Sequence, residues 1–415
     1  MPERAEPEPN SYRPQDQLAL WMLTDPTRPI LVGEISLALN GQAVALRYDK
    51  DWLAYGFALS EDLPLVDELF VPNQKQSAAG AIDDARPDRW GERVIRKFER
   101  ASRMSLLEFL LFAGGDRYGA LGVSLRSDVY APWSSSPMPA LRDLDAMDEV
   151  IRKVIANEPV QEIEQRLLRP GVSLGGARPK SVVEIDGYPW LVKFGEGEDE
   201  DTPLIEHATM TLAAKCGVDV AATRALAVRS KHAVAVRRFD RTGGARVHAI
   251  SAHVALRAVG EVYGYPQLGQ QLRRLCRSDE IQPQQMQLFR RMVFNIFMDN
   301  TDDHEKNHAL LRQADGNWLL SPAFDIVPSM SGLGYQAMSV GLHGADSTLD
   351  NALSSIASFG LKLAAAKAIV REIALVVEDW RRHFVACKVR AADLEVLAQY
   401  LDNDRLGAQR RSHVI

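Results

Sequence analysis

The chain has 415 residues, 46% of them hydrophobic and 25% charged, with a formal net charge of −6. That composition fits a globular protein of two or three packed units, and the net charge argues against electrostatic nucleic-acid binding by the chain as a whole, leaving only a local basic patch for that role. The three cysteines (Cys216, Cys276, Cys387) match no disulfide or metal spacing, the N-terminus has no apolar signal-peptide core, and no apolar run approaches membrane-spanning length, so the expectation is a cytoplasmic protein with no membrane partner.

In chain order, residues 1–15 are polar and Pro-rich, as in a flexible tail. From Leu18 to about Ala58 short β-type runs alternate with turns; Ile30–Leu37 followed by Asn40-Gly41 reads as a hairpin. Residues 87–112 read as helical, with Val94, Ile95, Phe98, Leu106, Leu107, Phe109 and Leu110 as apolar positions, and Gly114-Gly115 ends the run. These elements make a small α+β domain over 16–126. Residues 127–145 hold several prolines and a Ser run and read as a linker. Ser181–Ile185, Asp186-Gly187 and Tyr188–Phe194 form a second hairpin signal; a helix over Leu204–Cys216 follows, ended by Gly217, and then strands at 225–229 and 233–238. Beyond residue 250 the pattern is mainly helical: Leu288, Met292, Ile296 and Phe297 share one helix face, and Ile369, Ile373, Val376, Val377 and Trp380 mark another helix. The expected fold is α+β and two-lobed: a β-rich lobe over 146–240, a helical lobe over 241–415, and a cleft between them.

Four constellations carry chemistry. Gly171 to Lys180 is a Gly-rich stretch before the hairpin. Its Gly175 and Gly176 allow backbone N–H groups close to a phosphate, with Arg178 and Lys180 adding positive charge. A plain turn before a strand would use the same glycines. Lys193 is a cation in the apolar strand Trp190–Phe194, and Glu206 at the start of the next helix is its candidate orienting partner. Residues 299–307, Asp-Asn-Thr-Asp-Asp-His-Glu-Lys-Asn, contain Asp302 and Asn307 in the Asp-x-x-x-x-Asn spacing of a phosphoryl-transfer loop. There Asp302 would be the base, Asn307 a magnesium ligand, and His304 and Lys306 phosphate contacts, with structural roles for Asp299 and Asp303. Asp325, between Phe324 and Ile326, is a carboxylate in apolar surroundings, at the place of a magnesium-binding Asp. Each signal is modest; their order is that of a kinase-like phosphotransferase.

The same residues resemble the HipA-type serine/threonine kinases, toxins of bacterial toxin–antitoxin pairs. Ser173-Leu-Gly-Gly-Ala-Arg-Pro-Lys180 resembles that family's Ser-x-x-Gly-Ala-Gln-x-Lys loop, and Thr301-Asp-Asp-His-Glu-Lys-Asn307 its Thr-Asp-Gly-His-Ala-Lys-Asn. Val236-Arg-Arg-Phe-Asp-Arg241 and Pro322-Ala-Phe-Asp-Ile326 are similar to its lobe-junction and magnesium-binding segments. Arg86-Pro-Asp-Arg-Trp-Gly91 and Ala113-Gly-Gly-Asp-Arg-Tyr-Gly-Ala-Leu121 resemble parts of its N-terminal domain, so the likeness runs from roughly residue 20 to 330. The resemblance implies that ATP contacts the backbone from Gly175 through Gly176, Ala177 and Arg178 to Lys180, together with Lys193, the Arg237–Phe239 segment, His304, Lys306 and Asn307. It implies catalysis by Asp302, magnesium on Asn307 and Asp325, and inactivating autophosphorylation on Ser173, which ejects the loop. It further implies a protein substrate such as an aminoacyl-tRNA synthetase and a DNA-binding, HipB-like antitoxin through which alone operator DNA is engaged. Arg178 stands for the usual Gln and Arg237 for a Glu; neither removes a catalytic role. Two other readings compete: a kinase-fold scaffold or co-repressor for an antitoxin, and a metal-dependent phosphohydrolase built on Asp302, Asp303, His304 and Asp325.

Overall fold

The computed structural model describes residues 12–134, 137–171 and 176–414. The N-terminal part is an antiparallel sheet of β1 (Gln17–Met22), β2 (Ile30–Ala38), β3 (Ala43–Tyr48), β4 (Leu69–Phe70) and β5 (Leu121–Ser124), in the order β4-β3-β2-β1-β5. The β2–β3 hairpin closes on the pair Ala38↔Ala43, with Leu39 and Asn40 at φ 49° and 56° and Gly41 at 79°. Such a turn needs positive φ, which Asn and Gly supply at low cost. Three helices accompany the sheet: α1 (Lys50–Tyr55), α2 (Arg89–Phe98) and α3 (Leu106–Phe112). The helical stretch expected over 87–112 is thus two helices. Ser105 and Glu108 form a capping box, Glu108 accepting from Ser105 N at 2.9 Å, and this starts α3 afresh.

The expected tail over 1–15 is corrected at its end. Tyr12 packs edge-on against Phe112 and Trp133, with ring centroids 5.1 and 5.5 Å away, and its hydroxyl donates to Glu108 at 3.0 Å. An aromatic ring with a satisfied polar tip holds that residue down; residues 1–11 lie outside the described set. The expected linker over 127–145 is also anchored. Trp133 donates to Glu99 at 3.0 Å, and the segment runs into α4 (Leu144–Ile155), a helix that periodicity had not marked.

After a short helix α5 (Glu162–Gln165) comes a second antiparallel sheet. Its strands are β6 (Lys180–Ile185), β7 (Tyr188–Lys193), β8 (Thr223–Val228) and β9 (Lys231–Arg237), in the order β6-β7-β9-β8. Helix α6 (Thr202–Lys215) lies against this sheet. Val183, Trp190, Val192 and Ala235 pack with Met147, Val150 and Ile151 of α4 and with Trp90 and Val94 of α2. A helix of the N-terminal part therefore shares the core of the second sheet.

The remainder is mainly helical. Small strands β10 (Arg241–Thr242) and β11 (Ala245–Arg246) pair with each other, and β12 (Ala249–Ser251), β13 (Ala309–Arg312) and β14 (Trp318–Leu320) form a three-stranded sheet. Helices α7 (Ala252–Ala258) and α8 (Tyr265–Leu275) precede the central α9 (Ile281–Phe297). Leu288, Phe289, Met292, Val293, Phe294, Ile296 and Phe297 of α9 are all fully buried. A helix apolar on so many sides belongs inside a bundle, formed here with α8, α10 (Leu349–Ser354), α11 (Leu363–Val377) and α14 (Asp404–Val414), while α12 (Trp380–Ala386) packs on α6 and on α13 (Ala391–Leu401). The run expected to continue from Ile369 to Trp380 breaks between α11 and α12. Among the described residues no helix is long and apolar enough to cross a membrane.

Candidate active site

The polar loop after α9 is held by residues that do not face the cleft. Asp299 turns the chain with φ 50°, and its buried carboxylate takes Arg405 at 3.0 Å. Asp303 is buried, and one of its oxygens accepts from Tyr265 Oη, from Asn295 Nδ2 at 2.9 Å and from His308 Nε2 at 2.8 Å. Burial opposes its charge, but His308 and these donors hold its carboxyl below the ordinary value. Ser329 Oγ accepts from Thr301 N at 2.8 Å and from Asp302 N at 3.1 Å, tying the loop to the segment after Asp325. With its backbone fixed from both sides, Asp302 presents an exposed carboxylate that makes no hydrogen bond among the described residues. Burial of its surroundings raises its pKa, the nearby Asp325 and Asp303 add to this, and His304 and Arg178 oppose it.

Across the cleft, Lys180 of β6 and Lys193 of β7 are direct cross-strand neighbours, and both are buried. Two like charges side by side are unfavourable, so the fold surrounds them with carboxylates. Lys193 Nζ donates to Glu206 of α6 at 2.8 Å and to Asp325 at 2.5 Å. Lys180 Nζ donates to Asp88, the N-cap of α2, at 2.5 Å and to the Gly176 carbonyl at 2.8 Å. Burial raises the Glu206 pKa, whereas for Asp325 the opposing burial is outweighed by Lys193, with Lys180 and His304 helping, and its carboxyl is held low. Asp325 itself sits at φ 59°, a left-handed conformation costly for a non-glycine residue and retained where neighbours fix it.

Gly176 has φ 74°, and a Cβ there would lie 3.8 Å from Asp325 and 3.9 Å from Lys180. Its backbone therefore overhangs the carboxylate in a conformation that suits glycine. Two cavities meet at Gly176, Ala177 and Asp302. One, of about 560 Å³, is lined by Tyr118, Ser251, His304, Lys306, Ala309 and Phe324, with Asp84 and Asp88 from the N-terminal part. The other, of about 490 Å³, is lined by Arg178, Lys180, Lys193, Thr202, Asn307 and Asp325. Asn307 Oδ1 and His304 Nδ1 are buried without a hydrogen-bond partner among the described residues. An orphaned amide oxygen in one cavity wall with an ionised carboxylate is a hard-oxygen pair of the kind magnesium uses, that ion needing few protein ligands. The donor set thus fits Mg2+.

Family models describe the chain in two stretches, a HipA N-terminal domain over residues 27–124 and a HipA-like C-terminal domain over residues 172–380. The chain belongs to the HipA family. The serine/threonine-protein kinase toxin HipA of Shewanella oneidensis is 25% identical over 333 residues, covering 72% of this chain and 73% of that protein. A chain from the Shewanella oneidensis MR-1 complex of HipA, HipB and operator DNA has the same fold, with a TM-score of 0.66 at 19% identity over 95% of this chain and 97% of that one. The Helicobacter pylori proinflammatory kinase CtkA reaches a TM-score of only 0.35 at 12% identity, covering 55% of this chain and 94% of that one. With the HipA family come the kinase-like α+β fold and the serine/threonine-kinase class of activity, and the resemblance read from the motifs is correct.

Against this HipA frame, the structure gathers Gly176, Ala177, Arg178, Lys180, Lys193, Asp302, His304, Lys306, Asn307 and Asp325 around the two cavities, with Glu206 behind Lys193. Ser173 and Gly175 fall outside the described residues. Arg178 is partly exposed and 3.5 Å from Glu198. Arg237 and Phe239 line neither cavity: the Arg237 guanidinium stacks 4.5 Å over the Tyr188 ring, and Phe239 packs on Phe324 at 5.3 Å. The neighbours of these two residues explain the motif. Asp240 is fully buried, takes Arg238 at 2.6 and 2.9 Å and Arg241 at 2.8 Å, and accepts from Gly119 N at 2.8 Å. Arg238 and Arg241 also donate to the carbonyl of Arg117. The Arg-Phe-Asp-Arg segment therefore fastens the Gly-Gly-Asp-Arg-Tyr-Gly loop of the N-terminal domain to the lobe junction.

The residues that sequence reasoning missed come from that domain: Asp88, Trp90, and Asp84, which accepts from Ser251 N at 2.6 Å and Oγ at 2.7 Å. The signal for Asp88 and Trp90 was the Arg86–Gly91 motif, which matches the family without suggesting a place near the cleft; Asp84 lies outside it. The phosphohydrolase arrangement is not formed. Asp303 is committed to Tyr265, Asn295 and His308, and among the described residues no group of three or more His, Cys, Asp or Glu could hold a metal.

Proposed function

We propose that the chain transfers the γ-phosphoryl group of ATP, with magnesium, to a serine or threonine hydroxyl of a protein, and that it acts as the toxin of a toxin–antitoxin pair. The observation that carries this is the bridge Glu206–Lys193–Asp325 in one cleft with an Asp302 carboxylate and an Asn307 oxygen that have no hydrogen-bond partner among the described residues. Lys193, held by Glu206, points its ammonium at the place of the phosphates, while the Gly176 backbone and Lys180 close over them. Asn307 and Asp325 would hold the metal, whose charge offsets that of the phosphates when bound. Asp302 orients the acceptor hydroxyl and takes its proton as the oxygen bonds to phosphorus and the bond from phosphorus to the ADP oxygen breaks.

The finer assignments rest on the family. Autophosphorylation of Ser173 would silence the enzyme, the substrate would be a translation component such as an aminoacyl-tRNA synthetase, and a small DNA-binding antitoxin would neutralise it. The solved relative, a complex of HipA, HipB and operator DNA, supports a partner of that kind, with DNA engaged through it. Incubation with Mg·ATP followed by intact-mass and peptide mass spectrometry tests the reading. Phosphate on Ser173 in the wild type and none in Asp302→Asn is the expected outcome. A wild-type protein that neither binds nucleotide nor gains phosphate overturns it.

A further inference from the structure

The phosphate-binding loop of this chain is held at both stems by its N-terminal domain. On the exit side, Asp88 Oδ2 takes Lys180 Nζ at 2.5 Å and Trp90 Nε1 donates to the Lys180 carbonyl at 2.9 Å. On the entry side, Gly91 lies so close to Pro170 that a Cβ would stand 2.1 Å from the Pro170 carbonyl oxygen, and Gly171 lies equally close to Ala113. Just before the loop, Arg169 reaches Asp116 at 2.8 Å. Residues 88–91 thus touch the chain immediately before the loop and immediately after it. Asp88 divides its oxygens between two tasks: Oδ1 accepts from Gly91 N at 2.8 Å and caps α2, while Oδ2 holds Lys180, which in turn holds the Gly176 carbonyl.

We propose that Asp88 is a positioning residue for phosphoryl transfer: through Lys180 it holds the Gly176 backbone over Asp325, so that the N-cap of α2 in the N-terminal domain governs nucleotide affinity. The inference rests on the ATP-dependent reading above and adds a regulator outside the kinase lobes. An ordinary inter-domain ion pair would lend stability and nothing else. The chain Asp88–Lys180–Gly176 instead ends on the backbone that overhangs Asp325, the carboxylate proposed to hold the metal.

Asp88→Asn separates the two views, because Asn caps a helix as well as Asp does and only the charged contact to Lys180 is lost. Expected are a rise in the ATP KM of about tenfold, the size of one charge-assisted hydrogen bond, little change in kcat at saturating ATP, and faster hydrogen exchange in peptides spanning residues 168–182. Trp90→Phe keeps the ring but removes the donor to Lys180, and should move the same readouts in the same direction. It also serves if Asp88→Asn fails to fold. A fall in melting temperature with unchanged ATP KM and unchanged exchange in both variants would reduce Asp88 to a structural residue and overturn the proposal. If the wild type turns over no ATP, the kinase reading fails, and exchange with a non-hydrolysable ATP analogue still reports on the clamp.

Discussion

Replacing Asp240 by Asn tests how firmly the N-terminal domain is fastened to the kinase lobes. The carboxylate has no exposure, and the two guanidinium groups around it are themselves buried or nearly so. Burial opposes ionisation of Asp240, yet Arg238 and Arg241 hold its carboxyl well below the ordinary carboxylate range. The amide would keep one acceptor but leave Arg238 and Arg241 facing each other without a counter-charge. Breaking one partner out of a buried ion pair costs about 3–5 kcal/mol. With an unfolding entropy of roughly 2 cal/mol/K per residue over a chain of this length, that becomes a fall in melting temperature of roughly 4 °C. Thermal unfolding followed by circular dichroism measures it. The pH dependence gives an independent check. Because the folded pKa is depressed, this stability is fully present above the ordinary carboxylate pKa and is lost as pH falls below it toward the folded value. The wild type should therefore lose stability at acid pH more steeply than Asp240→Asn. A melting temperature within about 1 °C of wild type, or parallel acid limbs, would show that the arginines find solvent and that the junction is not a lock.

Asp302 should give the pH profile of phosphoryl transfer an acid limb displaced upward from the ordinary carboxylate value, since burial and neighbouring acids raise its pKa and the base works only when ionised. A kcat/KM profile flat down to about pH 4 would exclude it as the base. Asp303→Ala strips the acceptor from Tyr265, Asn295 and His308, three buried donors, and should cost about 3–5 kcal/mol and most of kcat; denaturant unfolding with wild-type stability would refute that role. His248 is buried and stacked between Phe57 and Trp318, and burial pushes its pKa from 6.5 down to about 4. A depressed histidine pKa means that the unfolded chain takes up the proton first, so stability should fall as pH drops from about 6.5 to about 4, by up to roughly 3 kcal/mol. The slope should be shallower in His248→Phe, and equal slopes would count against it.

Much of the cleft was legible because its chemistry is local in sequence. The Asp-x-x-x-x-Asn spacing fixed the loop after α9, and the apolar strand around Lys193 announced a cation that burial would force to find carboxylates. Structural roles for Asp299 and Asp303 are also expected from the sequence, and both side chains are buried. Contacts between distant segments could not be read that way. Nothing in Arg86–Gly91 says that Asp88 meets Lys180, 92 positions later, because periodicity and propensity report only on neighbours in the chain. The same limit explains Arg237 and Phe239. The family motif suggests a nucleotide contact for this segment; the side chain of Arg237, the last residue of β9, goes to the Tyr188 ring, and that of Phe239, beyond the strand, to Phe324. Helix ends failed for another reason: the capping box at Ser105 outweighs an apolar pattern that runs through it.

The adjacent lysines of β6 and β7 make the cleft a counter-ion exchanger. Asp88, Glu206 and Asp325 neutralise Lys180 and Lys193. An incoming triphosphate offers the same cations another source of negative charge, and the metal offers Asp325 another cation. On the proposed function, stability of the protein and affinity for ATP therefore draw on the same ammonium groups. Variants that tighten the Lys193–Asp325 pair should melt later and bind ATP more weakly, whereas the Asp88–Lys180 pair, which places the Gly176 backbone, works with the nucleotide.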